Sequence, residues 1–231
     1  MTFRFAAVMI LTAAGAIRLS TGVAAGTESS QAMEKFFQRP PAAFSYRAHR
    51  RLEAAGNGQS AWLDAQTTFS RNTGLSYEVT AEGGSGYIRS RVLHALLEEE
   101  RRSIGNGDLG SAEISRANYE FRSEGVDRDG LAQVALQPLR KERTLIDGRM
   151  FLKAADGTLL RIEGRLAKSP SFWITKVDIV RSYRVMNGAL MPVALESRAQ
   201  LRVMGAATLH MTYHYSDVNE QPVHEADARA Q

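Results

Sequence analysis

Apolar and polar positions change period along this chain, and each change marks a new element. Over residues 30–38, Met33, Phe36 and Phe37 recur at spacings of three and four, the stripe of a short amphipathic helix closed by Pro40 and Pro41. Strict alternation follows, with Phe44, Tyr46, Ala48 and Leu52 on one face and Ser45, Arg47, His49, Arg51 and Glu53 on the other, which predicts a half-buried strand. The Gly56-Asn57-Gly58 cluster turns the chain into a second strand over residues 61–70, and residues 72–74 turn it into a third over residues 75–81. The run Gly83-Gly84-Ser85-Gly86 then breaks the alternation. Ser85 is placed to cap a helix that carries Ile88, Val92, Leu93, Leu96 and Leu97 and ends, after the charged residues 98–102, before Gly105 and Gly107. A short helical turn is expected over residues 111–116.

From Asn118 onward the period stays close to two. Strands are predicted at Tyr119 and Phe121, over residues 131–137, and on either side of Asp156-Gly157, a hairpin dipeptide between residues 150–154 and 159–166. Three longer strands close the chain. Trp173, Val177, Ile179, Tyr183 and Val185 share a face of the first, and Val193, Leu195, Ala199, Leu201 and Val203 oppose Glu196, Arg198, Gln200 and Arg202 in the second. In the last, Ala207, Leu209, Met211, Tyr213 and Tyr215 alternate with Thr208, His210, Thr212 and His214. Alternation this regular means one apolar and one wetted face.

The element order defines a mainly β chain with α (α+β): a strongly curved antiparallel sheet, or half-open β-barrel, of about ten strands in meander order. Its apolar concave side must be covered, and the N-terminal helix and the helical insertion after the third strand are the segments that can cap it. One domain is expected over residues 26–219, with a polar, frayed tail over residues 220–231.

Residues 1–25 stand apart from this pattern. Arg4, an apolar run over residues 5–17 and the small residues Val23, Ala24 and Ala25 before Gly26 have the three parts of a secretory signal, cleaved after Ala25. Arg18 follows the apolar run more closely than usual, and the run is too short to span a bilayer. The expected location is therefore the periplasm, with no stable membrane span after cleavage. The chain has no cysteine, which excludes both disulfides and a lipid-modified N-terminal Cys, so the core alone must stabilise the mature protein. The formal charge of +4 includes Arg4 and Arg18. Removing them leaves a weak bias, and no basic block interleaved with aromatics points to nucleic acid.

Candidate chemistry is sparse. His210 and His214 would face one ion on a helix, but on a strand they stand roughly 13 Å apart, so no metal site is read from them. Gly83-Gly84-Ser85-Gly86 has Tyr87 where a nucleophile elbow needs glycine, and it lacks the Lys-Ser/Thr ending of a phosphate loop. Glu98 and Arg102 fit an i, i+4 pair on a solvated helix face. No catalytic residue and no cofactor is assigned. Arg50 and Arg181 are different, because alternation puts each on the apolar face of its strand, where a charge must be paired or meet an anionic group. Trp62 lies on the face of Asp64 and Gln66, either under a helix or beside an opening.

The order of export signal, short helix, three strands, helical insertion and long antiparallel run resembles the periplasmic lipoprotein carrier and receptor superfamily, the LolA/LolB-like proteins. The local stretch from Asp156-Gly157-Thr158-Leu159-Leu160-Arg161-Ile162-Glu163-Gly164-Arg165 to the Trp173 strand and Leu190-Met191-Pro192-Val193 is similar to the lipoprotein-sorting-like pattern. The resemblance implies a half-open sheet capped by helices over an apolar cavity for lipoprotein acyl chains. Without cysteine, a soluble carrier or sensor is the nearer match than the lipid-anchored receptor. The expected ligand is a hydrophobic small molecule, lipid or acyl chain. The expected binding residues are Tyr46, Arg50, Leu52, Leu93, Leu97, Ile179, Arg181, Tyr183, Leu201, Met211 and Tyr213, with the helix at residues 88–97 as a lid and residues 83–86 as its hinge. Two further readings stay open: a filled, ligand-free module with an envelope protein partner, and an enzyme on the same scaffold.

Overall fold

A computed structural model describes residues 27–38, 43–107, 113–172, 174–202 and 205–223. Residues 1–25, read above as an export signal, together with Pro40 and Pro41, Trp173, Val203 and residues 224–231, lie outside them. Helix α1 spans Thr27–Phe37, followed by β1 (Ser45–Gly56), β2 (Gln59–Ser70) and β3 (Gly74–Gly84). The insertion consists of α2 (Gly86–Ile88), a π-helical segment (Arg89–Leu93) and α3 (His94–Gly105). The remaining strands are β4 (Tyr119–Val126), β5 (Leu131–Pro138), β6 (Ile146–Lys153), β7 (Leu159–Leu166), β8 (Ile174–Met186), β9 (Ala189–Leu201), β10 (Gly205–Val218) and β11 (Gln221–Pro222). The tail is thus met only at its first residues, where Gln221–Pro222 pairs with β10.

All strands form one antiparallel sheet in the order β3-β2-β1-β10-β9-β8-β7-β6-β5-β4, with β11 beside β10. This α+β arrangement is the expected one, an open curved sheet that does not close into a barrel. Its connectivity corrects the simple meander. Two meanders, β1 to β3 and β4 to β10, are fused where β1 pairs with β10, and the insertion carries the chain from the β3 edge to the β4 edge. Pairing of the first and last long strands depends on which apolar faces meet, which alternation within each strand does not encode.

The register stacks the apolar positions into rows. Val134, Met150, Ile162, Arg181, Leu195, Met211, Leu52 and Leu63 follow one another across β5, β6, β7, β8, β9, β10, β1 and β2. All are buried, so a single inward row spans most of the sheet. Between Ser182 and Tyr183 the β8–β9 register shifts, with Pro192 at the irregularity, the place where a strand tolerates a residue that cannot donate. Beyond it the phase of β8 changes. Val185, expected beside Tyr183 on the apolar face, is exposed, and Met186 is buried instead.

The helices divide the concave face. Helix α1 buries Ala32 and Phe36 over β4, β5 and β6, sets Phe37 edge-on to Phe121 at 4.9 Å, and donates from Lys35 Nζ to the Ala155 carbonyl at 2.7 Å. The Asp156-Gly157 hairpin forms as expected. Gly157 has φ +69°, and a Cβ there would lie 2.4 Å from the Ala32 carbonyl oxygen, so glycine is what lets helix and hairpin touch. The insertion buries Leu93, Leu96, Leu97 and Ile104 over β1, β2 and β3. Ser85 stands at the N-cap position, but its hydroxyl donates to Gln59 Oε1 at 2.6 Å instead of capping.

Gly157→Ala should destabilise the protein by about 1–3 kcal/mol more than Gly130→Ala in urea unfolding. Both glycines have positive φ, but nothing lies within 4 Å of a Cβ at Gly130, so the difference isolates the α1 contact.

Candidate functional site

Beneath α3 the apolar lining is interrupted by a polar cluster. Arg50 on β1 and Glu100 on α3 are both buried and form a two-pronged pair, Nη1 to Oε2 at 2.6 Å and Nη2 to Oε1 at 3.1 Å. The same Nη2 donates to the Tyr46 hydroxyl at 3.0 Å, and the guanidinium stands 4.8 Å over the Tyr213 ring. Burial alone would lower the Arg50 pKa, but the Glu100 carboxylate, together with Tyr46 and Tyr213, more than reverses it, so the guanidinium stays charged. Burial pushes the phenols of Tyr46, Tyr183, Tyr213 and Tyr215 upward, so they remain neutral. Arg181 is buried in the same interior, in electrostatic contact with Tyr183 and Tyr213.

Arg50, one of the two arginines that break the alternation, is thus held by a carboxylate of its own chain. Glu100 was missed because residues 98–102 read as a solvated charge run. The signal was present, since Leu93, Leu97, Glu100 and Ile104 recur at spacings of four, three and four on the buried stripe of the insertion. Glu98 does form the expected surface pair with Arg102 at 3.2 Å. Its carboxyl is held down to about 2, chiefly by the Arg101 hydrogen bond.

Tyr46, Arg50, Arg181, Tyr183 and Tyr213 are therefore brought together around Glu100. Leu52, Leu93, Leu97, Ile179 and Met211 pack beside them as buried core. Leu201 lies elsewhere, in an apolar cleft of about 250 Å³ at the end of the sheet. Its floor comprises Ala54 and Gly56 of β1, Ala199 and Leu201 of β9, and Ala207 and Leu209 of β10; Ile88 and Val92 of the insertion form its roof. Gly56, Ala207 and Ala199 are register neighbours, so three small residues in one row leave the space. Tyr87 and Arg91 stand at the mouth, both exposed. Ala199 and Ala207 were legible as apolar-face residues; that nothing larger faces them across the gap was not.

The roof is fastened at the β3 edge. Glu82 accepts hydrogen bonds from Arg89 Nη1 at 2.5 Å and pairs with His94 Nε2 at 2.6 Å, and these two residues bracket the π-helical segment. The His94 bond, helped by Arg89, holds the Glu82 carboxyl below the usual range. Gly83 and Gly84, expected in a hinge, are the last residues of β3, in register with Trp62 and Ala61. Trp62 packs against Gly83 and lies 4.1 Å under the Arg51 guanidinium, on the outer face.

A larger groove of about 800 Å³ crosses the outer face of β6 to β10. Its charges compensate one another, as in Asp147–Arg165 at 3.2 Å and Lys176–Asp178 at 2.8 Å. His214 lies opposite His49 in register, and among the described residues no three His, Asp or Glu side chains gather as a metal site.

No family model matches the sequence, and no curated protein matches it. Among solved structures, a LolA superfamily protein from Nitrosomonas europaea is 11% identical with a TM-score of 0.43, over 89% of this chain and 97% of that one. A DUF1329 family protein from Desulfovibrio piger is 7% identical with a TM-score of 0.36, over 82% and 90%. MucB in complex with MucA(peri) is 10% identical with a TM-score of 0.21, over 83% and 94%. The first belongs to the superfamily that the element order resembles. At these scores the likenesses say nothing of what this chain binds.

Two outcomes are expected of the polar clusters. Glu100→Leu leaves Arg50 buried without its carboxylate and should cost about 3–5 kcal/mol in urea unfolding, while Arg50→Met/Glu100→Leu recovers most of the loss. The Glu82 contact is complete above the ordinary carboxylate range and is lost only as pH falls through its depressed folded-state pKa. Trp62 fluorescence should therefore change as pH falls below about 4.5. In Glu82→Gln that acid transition should vanish.

Proposed function

We propose that this protein binds rather than transforms its ligand, sheltering part of a lipid or acyl chain in the cleft between the insertion and the β1/β9/β10 end of the sheet, and that it does so in the periplasm. The observation that carries this reading is an apolar space lined by small side chains beneath a roof with an exposed aromatic at its mouth. Such a site takes an apolar chain by burial, at about 0.8 kcal/mol per methylene group. Its volume lies just below the roughly 300–1,000 Å³ of pockets for drug-sized ligands, so it suits the end of one chain better than a whole diacyl lipid. The export pattern of residues 1–25 supports the location, and among the described residues no helix is long and apolar enough to cross a membrane.

The buried Arg50–Glu100 cluster favours a second reading. It occupies interior that a larger cavity would need, as in a ligand-free module that meets an envelope protein.

A fluorescent fatty acid titrated into the mature protein separates the two. Uptake should weaken by tenfold or more in Ala207→Trp, which fills the cleft, and in Leu201→Glu, which puts a charge in its lining. Native mass spectrometry of gently purified protein should show a co-purifying lipid. Unchanged uptake in both folded variants would sink the cleft assignment, and no uptake by the parent protein would favour the interaction module.

A further inference from the structure

Antiparallel pairing sorts the connections onto two rims of the sheet. The β1–β2, β3–α2, β5–β6, β7–β8 and β9–β10 connections share the rim that holds the cleft, and those after β2, β4, β6, β8 and β10 share the opposite one. Charge is divided between the two rims. On the cleft rim, the start of the insertion carries Arg89 and Arg91, the β5–β6 loop Arg140, Lys141 and Arg143, the β7–β8 loop Lys168, and the β9–β10 turn Arg202. Within these described stretches (residues 85–91, 139–145, 167–172 and 202) the acidic residue is Glu142, and the segment 113–118, which enters β4 on the same rim, adds Glu113 and Arg116. On the other rim, residues 71–73, 127–130, 154–158, 187–188 and 219–220 hold Arg71 and Arg128 against Asp127, Asp129, Asp156 and Glu220.

The cleft rim also carries the most exposed large apolar side chains. Phe172 is 69% exposed, Leu139 59% and Tyr87 56%. Each stands on a different connection with cations nearby. Phe172 lies 4.4 Å under the Arg202 guanidinium, whose Nε donates to its carbonyl at 2.7 Å, and Arg91, Lys141, Arg143 and Lys168 are themselves exposed.

We infer that this rim docks on an anionic lipid surface, with Phe172, Leu139 and Tyr87 entering the headgroup layer and Arg91, Lys141, Arg143, Lys168 and Arg202 meeting lipid phosphates. A folded protein partner would ask for a contiguous apolar core ringed by polar groups. Single apolar side chains on separate loops, interspersed with cations around a rim, suit a fluid, planar, negatively charged partner. Docked this way, the cleft opens toward the acyl layer. The inference rests on the reading of the cleft as an acyl-chain site and adds the surface from which the chain is taken or to which it is returned.

The test is co-sedimentation of the full mature chain with vesicles of phosphatidylcholine alone and of phosphatidylcholine mixed with phosphatidylglycerol. Binding should favour the mixed vesicles and fall about tenfold or more when salt is raised from roughly 0.05 to 0.5 M. Lys141→Glu/Arg202→Glu should weaken it at least about tenfold and Phe172→Ser severalfold, while Arg71→Glu/Arg128→Glu on the opposite rim leaves it unchanged. No preference for anionic vesicles, or equal loss from charge reversal on either rim in folded variants, overturns the docking. Fatty-acid uptake is measured in parallel. Uptake without vesicle binding defeats the docking and leaves the cleft; vesicle binding with the same rim dependence but no uptake defeats the cleft and leaves the docking.

Discussion

The buried Arg50–Glu100 pair is the contact around which this structure is organised. The insertion is an excursion of the chain from one edge of the sheet to the other, and its amphipathic stripe alone would let α3 slide along an apolar floor. A two-pronged ion pair in the interior does not tolerate sliding, because a shift that parts the groups leaves two uncompensated charges away from water. It therefore fixes α3 over β1 in one register, and two neutral tyrosines complete the surroundings of the guanidinium, Tyr46 accepting a hydrogen bond and Tyr213 offering its ring face.

Glu82 makes the second attachment, from β3 to both sides of the π-helical segment. Below that segment lie Gly56, Ala199 and Ala207, too small to reach it, so the cleft lies where a pinned roof passes over a floor of small side chains. Packing elsewhere is dense, as the inward row from Val134 to Leu63 shows.

Most of the architecture was legible because alternation is an intra-strand signal. Strands, hairpin turns, helix one and the insertion could be read from period alone, and Arg50 and Arg181 stood out because each broke that period. The long-range choices were not legible. Nothing within β1 or β10 specifies that they pair, and the phase change at Val185 comes just beyond a register irregularity in β8–β9. Glu100 was hidden by its charged neighbours although its spacing marked it, because a carboxylate on a buried stripe makes sense only once its arginine is known. The cleft was invisible for the converse reason: alanine on an apolar face gives no hint of whether a larger side chain opposes it.

The attachments also limit how such a cleft could open. Ser85 donates its backbone N–H to the Ser60 carbonyl, Gly84 has φ +83° with no room for a Cβ against that oxygen, and Glu82 grips the next turns. A lid swinging about residues 83–86 would have to break the end of the β2–β3 ladder and the Glu82 contacts together. Side-chain motion of Tyr87 and Arg91 at the mouth breaks neither. Were the cleft to take a chain as proposed, access by those two rotors with the roof fixed would leave the ion-paired interior closed. On the proposed reading, stability and binding are carried by different ends of the insertion: Glu100 pins α3 to the sheet, and residues 87–92 face the cleft.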